Sequence, residues 1–148
     1  MFRAGSSRRV AQEGWFSSDS LYMPLLLKSI AVVAATSVAF TVALVVLIIG
    51  RGGFRPLLNA GVFGVVTLLG WVVGLAFGPL TTIHLWRLRQ QGRIAGLILF
   101  GYGFLYYLAG YFWLRAPEAP SGQIIAAAIA HLIPVLILAS PAAKRACS

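Results

Sequence analysis

The chain has 148 residues, of which 59% are hydrophobic and 10% are charged, and its formal net charge is +9. A water-soluble domain of this size cannot bury so much apolar surface, and so few charges cannot cover its outside. The composition therefore excludes an ordinary soluble domain. We predict an all-α integral membrane protein, located in a bacterial inner (plasma) membrane.

The chain begins with a polar, basic segment, residues 1–20, which is predicted to be a cytoplasmic N-terminal tail. Arg3, Arg8 and Arg9 resemble the basic start of a signal peptide. However, Ala11–Ser20 is polar, and no apolar core follows at the distance that such a peptide requires. A cleavable signal peptide is therefore not predicted.

Four apolar stretches follow, and each is long enough to cross a bilayer as a helix. The predicted transmembrane domain covers 21–140, its helices lie at about 21–50, 57–86, 93–115 and 121–140, and a cytoplasmic C-terminal tail occupies 141–148. The links between the helices are short and contain glycine or proline, so neighbouring helices should run antiparallel. The prediction is an up-down-up-down four-helix bundle.

The positive charges are distributed unevenly across this bundle. Three of the twelve lie on one side, at Arg51, Arg55 and Arg115, and nine lie on the other, at Arg3, Arg8, Arg9, Lys28, Arg87, Arg89, Arg93, Lys144 and Arg145. The positive-inside rule then places both the N and C termini in the cytoplasm. The same cations suit the anionic headgroups of the lipid bilayer, so no nucleic-acid partner is predicted.

Glycine spacing on helices two and three predicts close helix packing. The candidate packing residues are Gly64, Gly70, Gly74 and Gly78 on helix two and Gly96, Gly103 and Gly110 on helix three. Within each helix these glycines fall near one face, and small residues let membrane helices approach closely. We predict that the two glycine faces pack against each other. The alternative is that they leave room for a lipid tail or a pigment ring.

Helix three is rich in aromatic residues, with eight in the fifteen positions from Phe100 to Leu114. Tyr102, Tyr106 and Tyr107 lie deepest, and a phenol in hydrocarbon needs a hydrogen-bond partner. The candidate partners are a backbone carbonyl, a hydroxyl group of helix one and His131. Core packing is one interpretation of this stretch, and the lining of a pocket for a hydrophobic ligand or a quinone is the other.

His131 lies in the middle of predicted helix four, on a face that it shares with Ala127 and Pro134, so it should point into the bundle. Three interpretations stay open. The imidazole can hydrogen-bond to a tyrosine or to the carbonyl that Pro134 frees. It can contact a ligand, pigment or haem, because Ala127 leaves room for a ring, a spacing that resembles chlorophyll-binding helices. It can also handle a proton or a substrate. The candidate cofactor-binding residues are His131, Ala127, Tyr102, Tyr106 and Tyr107.

Several kinds of site are excluded by residue types that the predicted helices lack. They contain no Asp or Glu, whereas the small multidrug exporters, four-helix proteins of similar size, carry a membrane carboxylate. Cys147 is the only cysteine, which excludes a redox cysteine pair. His84 and His131 differ in depth by roughly 10 Å, so one haem bound by both histidines of the chain is not predicted. Neither a metal site nor a catalytic site is predicted.

These features favour a non-catalytic protein, an accessory or scaffold subunit of a membrane assembly, rather than an enzyme. Its predicted partners are the lipid bilayer and either other membrane proteins or further copies of itself. One alternative is a protein that binds a hydrophobic cofactor, pigment or lipid through His131 and the aromatic residues of helix three. The other is a small oligomeric channel or transporter. The sequence does not identify a cofactor.

Overall fold

The computed structural model describes residues 16–51, 53–114 and 121–148. Within them the chain forms only helices, which are α1 (Phe16–Gly50), α2 (Arg55–Asn59), α3 (Val62–Trp86), α4 (Gln90–Ala109), a π-helical turn (Gly110–Leu114), α5 (Ser121–Ala139) and α6 (Pro141–Ala146). Four stretches are long and apolar enough to cross a membrane: Tyr22–Gly50, Val62–Trp86, Gln90–Phe112 and Gly122–Ala139. The all-α architecture with four such helices is confirmed for these residues. The side of the membrane on which each terminus lies stays a prediction.

The observed helix boundaries differ from the predicted ones near the start of the chain. α1 begins at Phe16, so the last residues of the predicted N-terminal tail are helical, while residues 1–15 lie outside the described part of the chain. The predicted helix at 57–86 is interrupted, since α2 ends at Asn59 and α3 begins only at Val62. Between them Gly61 has a φ of 63°. This left-handed conformation ends an α-helix, and glycine adopts it without a steric penalty.

α3 and α4 form a tight helical hairpin in which only Arg87–Arg89 separate the two helices. The turn holds Leu88 at a φ of 52°, and the backbone N–H of Arg89 donates to the carbonyl of His84 at 2.8 Å. Gly92 lies close to the end of α3, where an added Cβ would be 2.6 Å from the carbonyl carbon of His84. Because the turn is this short, α4 begins at Gln90, before the start predicted at residue 93.

The predicted C-terminal tail contains a short helix that folds back onto the bundle. Ser140 caps α6, because its side-chain oxygen accepts a hydrogen bond from the N–H of Ala143 at 3.1 Å, and Pro141 stands at the start of the helix. Ala143 and Cys147 are 0% and 2% exposed, and α6 contacts α1, α4 and α5. The segment 141–148, predicted as a C-terminal tail, therefore packs against the bundle.

The spanning helices pack in chain order, α1 against α3, α3 against α4, and α4 against α5. Their buried side chains gather at one end of the bundle, near the α3–α4 turn and α6. We call this cluster the packed end; it comprises Leu27, Ile30, Ala31, Ala34, Leu85, Phe100, Leu138, Ala143 and Cys147. Elsewhere large apolar side chains such as Phe40, Phe112 and Leu136 are exposed, which suits lipid as the surrounding solvent.

The two glycine faces do not pack against each other, so this part of the prediction is wrong. The glycines of α3 instead receive side chains, with Tyr102 over Gly70, Thr41 over Gly74 and Val38 over Gly78. Two of these three side chains belong to α1, so α3 turns most of its glycine face toward α1 rather than α4. Gly64 is also buried.

The glycines of α4 face α5 as well as α3. Gly96 lies against Leu138 of α5 and Thr81 of α3, and Gly103 lies against the ring of His131. Gly110 has open space where a side chain would lie. Because Gly96 and Gly103 have no Cβ, large side chains of neighbouring helices lie close to the α4 backbone. A second glycine face does not.

Candidate functional site

A cavity of about 260 Å³ lies among the four spanning helices, next to the packed end. α3 and α4 line its floor, and α1 and α5, the first and last helices in the packing order, line its two sides. It is partly open, since α1 and α5 are joined mainly through α6 at the packed end. The lining residues that carry a polar side-chain group are Ser37, Thr41, Thr67, Trp71, Tyr102, Tyr106, Tyr107 and His131.

Tyr102 has a backbone partner in the neighbouring helix. Its hydroxyl donates to the carbonyl of Val66 at 2.6 Å. The ring reaches that carbonyl because Gly70 has no side chain, and a Cβ added there would be 3.0 Å from Cε1 of the ring. Its hydrogen is therefore used within the protein, and its main effect is to join α4 to α3.

Tyr106 is joined to α3 through a second hydroxyl group. Its oxygen lies 3.0 Å from Oγ1 of Thr67, and Thr67 Oγ1 itself donates to the carbonyl of Phe63 at 2.8 Å. Since a threonine hydroxyl has one hydrogen, Tyr106 must be the donor in the first bond. The hydrogen of this tyrosine is also used within the protein.

Tyr107 differs from the other two tyrosines, because its hydroxyl has no hydrogen-bond partner among the described residues. Its ring packs against the edge of Tyr106, with centroids 5.3 Å apart, and against the imidazole of His131, with centroids 5.2 Å apart. The ring is thus positioned by aromatic contacts while the hydroxyl keeps its full hydrogen-bonding capacity.

His131 is held by its own helix. Nδ1 lies 2.8 Å from the carbonyl oxygen of Ala127, and a carbonyl can only accept, so Nδ1 carries a hydrogen. In the neutral ring the lone pair is then on Nε2. Gly103 allows the ring to lie against α4, where a Cβ would come within 2.7 Å of Nε2, and Phe100 flanks the ring at a centroid distance of 6.2 Å.

No Asp, Glu, Lys or Arg lines the cavity. The hydroxyl groups of α1 are satisfied locally. Ser37 donates to the carbonyl of Val33 at 2.9 Å, and Thr41 donates to that of Ser37 at 2.8 Å. Three polar groups of the lining have no hydrogen-bond partner among the described residues: the hydroxyl of Tyr107, Nε2 of His131 and the indole N–H of Trp71.

The structure brings most of the candidate cofactor-binding residues together. Tyr102, Tyr106, Tyr107 and His131 all line the cavity. The expected hydrogen bond between His131 and a tyrosine is not formed, because Nδ1 bonds within α5 and Tyr107 makes a ring contact instead. Ala127 contributes its carbonyl to the histidine rather than open space beside a ring.

Two partners in the site come from parts of the chain that its sequence does not single out. The carbonyl of Val66 is a backbone group, so no residue type announces its role as the acceptor for Tyr102. The second partner, Thr67, is one of several hydroxyl residues in the predicted helices. A hydroxyl at the same depth as Tyr106 could have identified Thr67 as its partner, but the relative depth of α3 and α4 is not known from the sequence.

The packed end has polar groups of its own. Arg93 donates from Nη1 to the carbonyl of Leu138 at 3.1 Å, at the C-terminus of α5. Burial raises the pKa of the Cys147 thiol above its ordinary value, and the nearby charge of Arg93 opposes this, so the thiol stays protonated at neutral pH.

His84 Nδ1 is buried without a partner among the described residues. Those residues contain no group of three His, Cys, Asp or Glu side chains that could hold a metal ion.

Comparison with known proteins finds no matching family model, no similar curated protein and no similar solved structure. The cavity is accordingly interpreted from its own geometry and chemistry.

Proposed function

We propose that the chain is a non-catalytic membrane protein that binds a small, lipid-soluble molecule in the cavity between its spanning helices. The observation that carries this proposal is the bond between His131 Nδ1 and the carbonyl of Ala127. It orients the imidazole and leaves Nε2 available beside an aromatic, uncharged cavity. Histidines that bind metal ions are oriented in the same way, by a hydrogen bond from the other ring nitrogen.

The size of the cavity supports a small ligand. Its volume is about 260 Å³, whereas a dry protein cavity of roughly 150 Å³ already holds benzene and pockets for drug-sized molecules begin near about 300 Å³. One ring with a few substituents fits, and an alkyl tail can leave through the open side. A tetrapyrrole pigment or haem would need the surrounding helices to move apart, so we favour a single-ring ligand.

Isolation of the protein with its natural ligand tests this proposal. The full chain is purified from its native membrane in a mild detergent, and the bound small molecules are identified by mass spectrometry. We expect one compound to co-purify near one molecule per chain and to be lost in His131→Leu. Ile129→Leu is the matched control, because this residue is on the same helix and is 51% exposed. Equal retention by both variants, or an empty wild-type protein, would contradict the proposal.

An accessory or scaffold role in a membrane assembly is the second candidate. It is supported by α1, whose membrane-spanning part is 6% buried, the smallest share among the four spanning helices. Phe40 and Val46 of this helix are 65% and 64% exposed, so a second protein or a further copy of the chain has room to pack there. The same purification tests this role. A stoichiometric protein partner supports it, and a protein that stays monomeric and alone contradicts it.

A further inference from the structure

We infer that the cavity selects a neutral ligand whose ring carries a hydroxyl group, as in a phenol, a hydroquinone or a ring alcohol. This inference rests on the proposed binding function and adds the chemical class of the ligand. It depends on His131 Nε2 and the hydroxyl of Tyr107, two neighbouring polar groups of the cavity without a partner among the described residues, and on the absence of charged residues from its lining.

Nε2 of His131 and the hydroxyl of Tyr107 both keep some accessible surface. Among the described residues, His84 Nδ1 is the buried side-chain nitrogen or oxygen that lacks a hydrogen-bond partner. His131 Nε2 and the hydroxyl of Tyr107 also have no partner among these residues. Neither atom is fully buried, so each keeps some accessible surface. Both residues line the cavity, and their rings are 5.2 Å apart. We therefore infer that one polar group of a ligand bonds to both.

A hydroxyl group is complementary to this pair. Its hydrogen can be donated to the lone pair of Nε2, and its oxygen can accept the hydrogen of Tyr107. A ketone or a quinone carbonyl can accept from Tyr107, but it leaves Nε2 without a donor. An ether has the same defect. Burying an acceptor without its donor costs free energy, so the hydroxyl compound should be preferred.

Anionic ligands are disfavoured by the same lining. No lysine or arginine borders the cavity, and a carboxylate or phosphate transferred there without a cation would lose its hydration. The polar groups already bonded within the protein, Tyr102 and Tyr106, cannot compensate, since their hydrogens are used by Val66 and Thr67. The aromatic rings of Phe100 and Tyr107 on either side of the imidazole suit an apolar ring.

Two probes that differ in one hydrogen-bond donor test the inference. Binding of 4-heptylphenol and of its methyl ether, 4-heptylanisole, is measured with the full chain in phosphatidylcholine nanodiscs, after subtraction of uptake by empty nanodiscs. We expect the phenol to bind about tenfold more tightly, the equivalent of about 1.4 kcal/mol. The preference should fall to twofold or less in His131→Leu, fall partly in Tyr107→Phe, and persist in Ile129→Leu.

The outcomes separate the two proposals. If the phenol and the ether bind equally well to the wild-type chain, the hydroxyl class is wrong while ligand binding in the cavity stands. If 4-heptylcyclohexanone, an acceptor without a donor, binds more tightly than the phenol, the class is likewise wrong. If none of the three probes binds, both proposals fail. The comparison of probes on the wild-type chain decides the matter even if a variant does not fold.

Discussion

Gly103 shows how a single missing side chain shapes the candidate site. The ring of His131 occupies the position where a Cβ of this residue would lie. Because the imidazole is also bonded to Ala127, it cannot turn away from α4 without losing that hydrogen bond. Gly103 is thus required by the close approach of a side chain, and not by a turn or a positive φ.

Replacement of Gly103 by alanine should destabilise the protein. The new methyl group would overlap the imidazole, and overpacking of this kind costs about 1–3 kcal/mol. Gly101→Ala is the matched control on the same helix, since nothing lies within 4 Å of the position its Cβ would take, and it should be neutral or stabilising by up to about 1 kcal/mol. Thermal unfolding in detergent compares them. Equal stability of the two variants would show that His131 does not lie against Gly103.

The residues of the candidate site could be predicted only in part. A tyrosine or a histidine deep in an apolar helix stands out because its polar atom needs a partner, and Tyr102, Tyr106, Tyr107 and His131 do line one cavity. Their partners could not be predicted, because a carbonyl such as that of Ala127 looks the same at every position in the sequence. Which hydroxyl is bonded and which is free depends on differences in depth of a few ångströms.

At the scale of the elements, α6 and the end of α5 depend on Arg93. The last carbonyls of a helix have no partner inside it and carry a partial negative charge. Arg93 bonds to one of them, the carbonyl of Leu138, and its Nε donates to Gln90 at 3.1 Å. One side chain at the start of α4 therefore fixes the end of α5, from which Ser140 leads directly into α6.

Removal of the Arg93 guanidinium should loosen this junction. In Arg93→Met the apolar stem is kept while the donors are lost, and a hydrogen bond from a charged group contributes about 1.5–3 kcal/mol. Arg89→Met is the control, because that side chain is exposed in the same turn. We expect a lower unfolding temperature and faster thiol labelling of Cys147 in the Arg93 variant only. Identical labelling rates in the two variants would contradict the junction described above.

The helix interruptions illustrate what pattern alone does not supply. Hydropathy runs without a break through 57–86, so the interruption at Gly61 is invisible to a test of apolar length. Glycine in a membrane helix usually allows close helix packing. At Gly61 the chain instead uses the ability of glycine to adopt a positive φ.

α6 was not predicted for a different reason. A six-residue helix has little stability of its own and forms because Ala143 and Cys147 are buried by the bundle.

At the scale of the whole molecule, the number of spanning helices follows from composition alone, because lipid requires long apolar helices. The order of packing does not follow from it. Apolar surface is equally satisfied by lipid and by a neighbouring helix, so hydropathy cannot say which faces meet. This is why four helices were predicted correctly while the pairing of the two glycine faces was wrong.

Thiol labelling tests the predicted orientation of the bundle. In a Cys147→Ala background, single cysteines replace Ser148, beyond α6, and Asn59, in α2; both positions are exposed. With a membrane-impermeant maleimide applied to intact cells, we expect Asn59→Cys to react and Ser148→Cys to react only after the membrane is opened. The reverse pattern would place the termini outside. Native Cys147, 2% exposed, should stay unlabelled until the protein is denatured.

The open side of the cavity determines where a ligand comes from. For the proposed ligand, an opening between α1 and α5 at the middle of the spanning helices would lead sideways into the bilayer rather than into water. Occupancy then depends on the mole fraction of ligand in the membrane. Each methylene added to a tail raises partition into the bilayer about fourfold, at about 0.8 kcal/mol per group. In a homologous series, affinity referred to aqueous concentration would therefore rise steeply with tail length, although contacts inside the cavity stay the same.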